Sequence, residues 1–208
     1  MTVLAIHATR NTNKPDATGA FIPEATAFQK HYACHREGFD NRLKGAPCRE
    51  HVESILRRYR GLDRVAFFCH GHRSGLQTGH DIATVGALAN AIAAATNPHV
   101  IVTLYACSTA GQRTVRLGGF ADALRDALTF RGKTGHVDGH TVAGHCVWLP
   151  FVQRFDICEP TIEIAGDWIV APKSPEWKRW KARLRADGDT LCYRFPTMTV
   201  EQVRAEVR

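Results

Sequence analysis

The sequence predicts an α/β domain, a three-layer α/β/α sandwich around a mainly parallel central sheet. Two apolar runs carry that prediction, RVAFFC (64–69) and HVIVTLYA (99–106). Neither alternates apolar with polar residues, as expected of strands buried on both faces of a parallel sheet. Between them, DIATVGALANAIAAAT sets Ile82, Val85, Ala89 and Ile92 on one helical face, with Asp81 placed to cap its start. Strand, helix and strand in that order form a crossover, which is right-handed. Strand-like and helix-like stretches also keep alternating along the chain, which favours helices packed on both faces of one sheet.

Taken in order, residues 2–8 (TVLAIHA) are a short apolar run rich in β-formers and read as a first strand. Residues 9–46 hold many Gly, Pro, Asn and Asp among Phe21, Phe28, Tyr32 and Phe39, and read as a long irregular segment. In PCREHVESILRRYR (47–60), Val52, Ile55, Leu56 and Tyr59 fall at helical spacing, and Pro47 suits a first turn. A helix is expected at 119–129, with Phe120, Leu124 and Leu128 on one side. Strands follow at 141–149 and 162–170, then helices near 175–186 and 199–207. The whole of 1–208 reads as one domain with a basic helical segment over 173–208.

The chain has 208 residues and a mass of 23.1 kDa, within the usual size of a single domain. At 44% hydrophobic and 23% charged residues it has the balance of a globular protein rather than a disordered one. No run approaches the ~20 apolar residues that cross a bilayer, so no membrane partner is expected. The opening MTVLAIHATRN lacks the basic and apolar regions of a signal peptide. Seven scattered cysteines do not resemble a secreted disulfide framework, so a reducing cytoplasm is the expected compartment. Lys+Arg 27 against Asp+Glu 20 gives a net charge of +7 and a pI near 9.2. That balance permits acidic partners, nucleic acid included, without specifying one.

His70 directly follows the first buried strand, and Cys107 ends the second. Strands joined by one crossover commonly lie side by side, about 4.8 Å apart. Side chains at their carboxyl ends then project into one crevice, where α/β sheets bind ligands. An imidazole beside a thiol takes its proton or stabilises the thiolate, which is the competent nucleophile. Gly71 lets the backbone approach a substrate closely, and Ser108, Thr109 and Gly111 make a small polar turn beside the sulfur. The amides of Gly71 and Cys107 are placed to meet a developing oxyanion. Against this stands the plain alternative that Cys107 is a buried small hydrophobe and His70 a satisfied surface residue. Cys69, next to His70, is a potential oxidation partner for Cys107, although strand alternation points it to the other face.

With VAFFCHG (65–71) and VIVTLYACSTAG (100–111), the chain resembles the caspase-like cysteine peptidases. That group includes caspases, metacaspases, legumain, gingipain, separase and the bacterial CHAT-domain proteases, and ACSTA looks most like the CHAT branch. The resemblance covers roughly residues 60–130. It implies a caspase-type α/β sandwich, a Cys107 nucleophile, His70 as general base and acid, and an oxyanion hole from the amides of Gly71 and Cys107. No cofactor is implied, and the substrate is a peptide or protein. Metacaspases carry an Asp two residues before the nucleophile that helps hold a basic P1 side chain. Tyr105 stands there in this chain, so cleavage after Arg or Lys does not follow. Arg10, in the loop after the first strand, is a candidate contact for an acidic P1 group.

Other histidines and cysteines give further candidates. His31, Cys34, Cys48 and His51 form H-x2-C, thirteen intervening residues, then C-x2-H. Zinc accepts such mixed ligands, and a metal clip would order the loop between them. The ligand order is not a common finger arrangement, however, and Cys48 equally suits a core position beside Val52. His136, His140 and His145 lie in GHVDGHTVAGHCVW as a metal or substrate cluster, although the glycines favour a turn and strand. His145 and Trp148 are candidate substrate contacts. In KSPEWKRWKARLR (173–185), Trp177, Trp180 and Leu184 share a helical face among Lys and Arg. Such a face docks on nucleic acid, or more commonly packs on its own domain.

Three functions therefore compete. The first is a cysteine endopeptidase, the second a non-catalytic nucleic-acid- or protein-binding module on the same fold, and the third a zinc-dependent hydrolase.

Overall fold

Every residue of Val3–Ala8 (β1) is buried, and the sheet grows outward from this strand. The computed structural model describes residues 1–9, 18–111, 118–141 and 152–157, together with Pro175, Lys178 and Arg179. After β1 come helix α1 (Thr18–Tyr32), strand β2 (His35–Phe39), helix α2 (Gly45–Arg57) and strand β3 (Leu62–Phe68). A short hairpin follows, β4 (Gly71–His72) with β5 (Gly75–Leu76). Then come helix α3 (Val85–Ala95), strand β6 (Thr96–Tyr105), helix α4 (Phe120–Thr129), strand β7 (Thr134–His140) and strand β8 (Val152–Ile157).

Among the described residues, the main sheet has six strands in the order β2-β1-β3-β6-β7-β8. All neighbouring pairs are parallel except β7 with β8. Helices cover both faces. The ladder aligns Val102 with Val137 and Val137 with Phe155, and Arg125 of α4 lies over the Phe155 ring at 5.8 Å. Tyr105, three residues beyond Val102, points the opposite way by strand alternation, and there Phe28 of α1 meets it. So α1 lies on one face, and α4, with α3 and α2 packed beside it in that order, lies on the other. The architecture is mixed α/β with a mostly parallel central sheet flanked by helices. No helix among the described residues is long and apolar enough to cross a membrane.

Two expectations change, and strand β7 is new. Residues 9–46 are not irregular throughout, because α1 and β2 occupy most of the stretch. Phe21, Ala25 and Phe28 are buried, and together with Tyr32 they recur every three or four residues as one apolar stripe against the sheet. Pro23 lies within the helix and does not end it. Asp81 does not cap α3 itself. It closes the turn before it, accepting the Thr84 N–H at 2.9 Å while its own N–H donates to Thr84 Oγ1 at 2.9 Å. Strand β7, over 134–140 and paired with β6, was not expected, and Thr141 just after it lies in a bend. The remainder of 141–149 and the elements expected at 162–170, 175–186 and 199–207 lie outside the described residues. The exceptions are Pro175, Lys178 and Arg179, which are helical and exposed.

Candidate active site

The β3–β6 ladder sets the geometry. Its last aligned pair is Phe68 with Tyr105, and the Cys69 N–H continues it by donating to the Tyr105 carbonyl at 3.4 Å. His70 and Cys107 each stand two residues past that pair, so equal chain lengths carry both out of the sheet at neighbouring strand ends. The rings of Phe68 and Tyr105 stack at 4.6 Å with an interplanar angle of 14°, and Phe28 meets both edge-on at 5.5 and 6.0 Å. This buried aromatic layer lies on the α1 face of the sheet, just before the two strand ends. Phe21, two helical turns before Phe28, contacts the His70 ring edge-on at 5.1 Å, which fixes the imidazole on the same face. His70 and Cys107 are both half-buried.

Backbone packing joins the two motifs. A Cβ added to Gly71 would lie 2.8 Å from Ala106 Cβ, 2.8 Å from Thr109 Cγ2 and 3.0 Å from the Cys107 carbonyl oxygen. Only glycine allows the chain after His70 to rest on the Cys107 turn at that distance. The turn is held from several directions. Thr109 Oγ1 donates to the Ala106 carbonyl (3.1 Å), and the Ala110 N–H donates to the His140 carbonyl of β7 (2.8 Å). The Ala121 N–H of α4 donates to the Thr109 carbonyl (2.8 Å). Ser108 takes a φ of +57°, a left-handed conformation uncommon for a residue with a Cβ. Two flanking elements and a strained residue thus define the backbone around the sulfur.

Tyr105 is buried in the aromatic floor, which gives the position two residues before Cys107 a packing role here. Cys69 is fully buried. Burial pushes its thiol far up, which outweighs the opposing hydrogen bonds from the Gln77 and Thr78 amides, so the sulfur stays protonated. His140, also buried, neighbours Tyr105 with ring centroids 6.3 Å apart. His136 shares that face of β7 and faces Asp138 at 3.4 Å, and Arg154 of β8 donates to Asp138 at 2.9 Å. Burial acts to raise the Asp138 carboxyl, but His136 and Arg154 more than offset it and hold it below the usual range.

The four residues considered for zinc do not converge. Cys34 precedes the amino end of β2, whereas Cys48, near the start of α2, donates to the Gln77 carbonyl at 3.6 Å beyond the carboxyl end of β3. His31 is exposed in the last turn of α1, and His51 lies on α2. Among the described residues, no group of three or more His, Cys, Asp or Glu side chains is gathered for a metal ion. Arg10, His145 and Trp148 lie outside the described residues.

Two residues of this site were not expected. Phe21 was identifiable from its place in the Phe21, Ala25, Phe28, Tyr32 stripe. Gln77 brackets the His70 backbone on both sides, and no spacing pattern marks it. Compared with protein-family models, with curated proteins and with solved structures, the chain finds no match in any of the three.

Proposed function

We propose that the chain is a cysteine peptidase, or a hydrolase of related amide bonds, built as a caspase-type α/β sandwich. One observation supports the reading above the others. His70 and Cys107 leave neighbouring parallel strands at matched offsets, with Gly71 seated directly on the Cys107 turn. A mainly parallel sheet with helices on both faces is what the caspase-like resemblance requires, and a thiol nucleophile suits a reducing compartment such as the cytoplasm.

In this mechanism His70 takes the proton of the Cys107 thiol, and the thiolate attacks the scissile carbonyl carbon of a peptide. The carbonyl oxygen becomes an oxyanion received by the amides of Gly71 and Cys107. The intermediate collapses with breakage of the C–N bond, and His70 returns its proton to the departing amine. Water, deprotonated by His70, then attacks the thioester, and the acid product leaves with the thiol restored. The backbone anchors of the 107–111 turn keep the sulfur and the oxyanion donors in fixed relation, where misplacement by about 1 Å costs on the order of a hundredfold in rate.

Hydrolysis of a peptide library by the wild-type chain, compared with Cys107→Ala and His70→Ala, tests the proposal. Each variant is expected to lose roughly a thousandfold or more of kcat/KM while keeping the wild-type far-UV circular dichroism. Hydrolysis that survives in Cys107→Ala at the wild-type rate rules the mechanism out.

A further inference from the structure

We propose that Gln77 is a positioning residue for His70, and that the loop carrying it is a clamp fixed to α2. The inference rests on the peptidase reading, because His70 must be the residue that moves the proton. One residue satisfies both backbone groups of His70. The His70 N–H donates to Gln77 Oε1 at 3.2 Å, and the Gln77 N–H donates to the His70 carbonyl at 2.8 Å. These two bonds set the peptide planes on either side of His70. The second plane contains the Gly71 amide, so the same contact aims the imidazole and one proposed oxyanion donor.

Gln77 is itself held from behind. Its carbonyl accepts the Cys48 thiol at 3.6 Å, and Arg49 Nη1 donates to the Gly79 carbonyl at 3.1 Å. The side chain of His80 is wholly buried between Glu53 Oε1, 3.3 Å from Nε2, and Thr78 Oγ1, 2.9 Å from Nδ1. A carboxylate only accepts, so Nε2–H donates to Glu53 and Nδ1 accepts from the Thr78 hydroxyl. The Leu76 N–H closes the loop by donating to the His80 carbonyl at 2.8 Å. Cys48, Arg49 and Glu53 of α2 therefore pin three points of the loop on one side, and Gln77 grips His70 on the other. A side-chain amide on a backbone N–H also orders plain loops, but this one is directed at His70, the residue proposed to move the proton. The rigid tether behind Gln77 gives the grip a fixed reference in the sheet.

The test compares Gln77→Met, which removes the acceptor at similar volume, with Gln77→Glu, which keeps one. Three quantities are read in the full-length chain. They are kcat and KM on a peptide substrate, the rate of Cys107 alkylation by a peptidyl acyloxymethyl ketone, and hydrogen exchange at the His70 amide. For Gln77→Met we expect kcat and alkylation to fall about tenfold to a hundredfold with KM nearly unchanged, and the His70 amide to lose protection. Gln77→Glu is expected to retain both activity and protection. Thermal unfolding of each variant separates this from general destabilisation. A Gln77→Met enzyme with unchanged kcat and alkylation rate overturns the proposal, as does an unprotected His70 amide in the wild type. If the wild-type chain neither hydrolyses peptides nor is alkylated at Cys107, the peptidase reading fails and the positioning role fails with it. The exchange data then identify the contact as structural.

Discussion

Gly71 is the residue on which the two motifs depend for contact. Its Cα packs against Ala106, Cys107 and Thr109 so closely that one added methyl group meets three atoms within 3.0 Å. Gly71→Ala is expected to push the loop and the Cys107 turn apart, with a loss of about 1–3 kcal/mol of stability from overpacking and a proportionally larger loss of kcat. Urea unfolding and substrate kinetics on the same preparation measure the two effects. His80 belongs to the same scale. Burial holds its pKa below the ordinary histidine value of about 6.5, with Glu53 and Asp81 working against that shift and Arg49 with it. His7 is lowered in the same direction, again mainly by burial. A depressed folded-state pKa means that the unfolded chain binds the proton more tightly. The stability present above pH 6.5 is therefore lost as the pH falls through that value towards the folded one. Urea midpoints at pH 7.5 and pH 5 should differ in that direction, and His80→Gln should shrink the difference.

At the scale of elements, α1 supplies Phe21, Phe28 and Tyr32 to the aromatic layer beside the two strand ends. Phe28 is fully buried against Phe68, Tyr105 and Tyr32. Phe28→Ala should cost about 3–5 kcal/mol in urea unfolding and leave the Phe68–Tyr105 stack uncovered. This helix was not legible in the sequence, because Gly19 and Pro23 mask a stripe that only its four apolar positions reveal. The β3–α3–β6 unit was legible for the opposite reason. Its strands are buried on both faces and so read as unbroken apolar runs, and the Ala-rich helix between them has a clear face. Strand β7 was not legible because its α1 face carries His136, Asp138 and His140, and Asp138 is held there by His136 and Arg154. Strand β8, with the alternating pattern of VQRFDI, lies at the sheet edge and carries a weak signal of its own. That His70 and Cys107 end neighbouring strands was legible, because strand ends in a parallel sheet are predictable places. Gln77 was not, since a hydrogen bond from a side-chain amide to a backbone N–H leaves no periodic trace.

Over the whole molecule, sheet order turns a sequence separation into proximity. β3 and β6 are adjacent at the centre of the six strands, with β1 and β2 on one side and β7 and β8 on the other. The strand ends there are flanked by α1, by the 70–80 loop tethered to α2, and by the Cys107 turn tethered to β7 and α4. Each of the three is anchored to a different part of the core, the rigid support that the proposed peptidase site needs. The central claim is that His70 and Cys107 act as one unit at these strand ends. It is tested most directly by treating the wild-type chain with a panel of peptidyl acyloxymethyl ketones differing at P1 and locating the adduct by mass spectrometry. The account predicts one covalent adduct, on Cys107, whose formation slows sharply in His70→Ala. An adduct on any of the other six cysteines instead, or labelling of Cys107 at the same rate without His70, contradicts it.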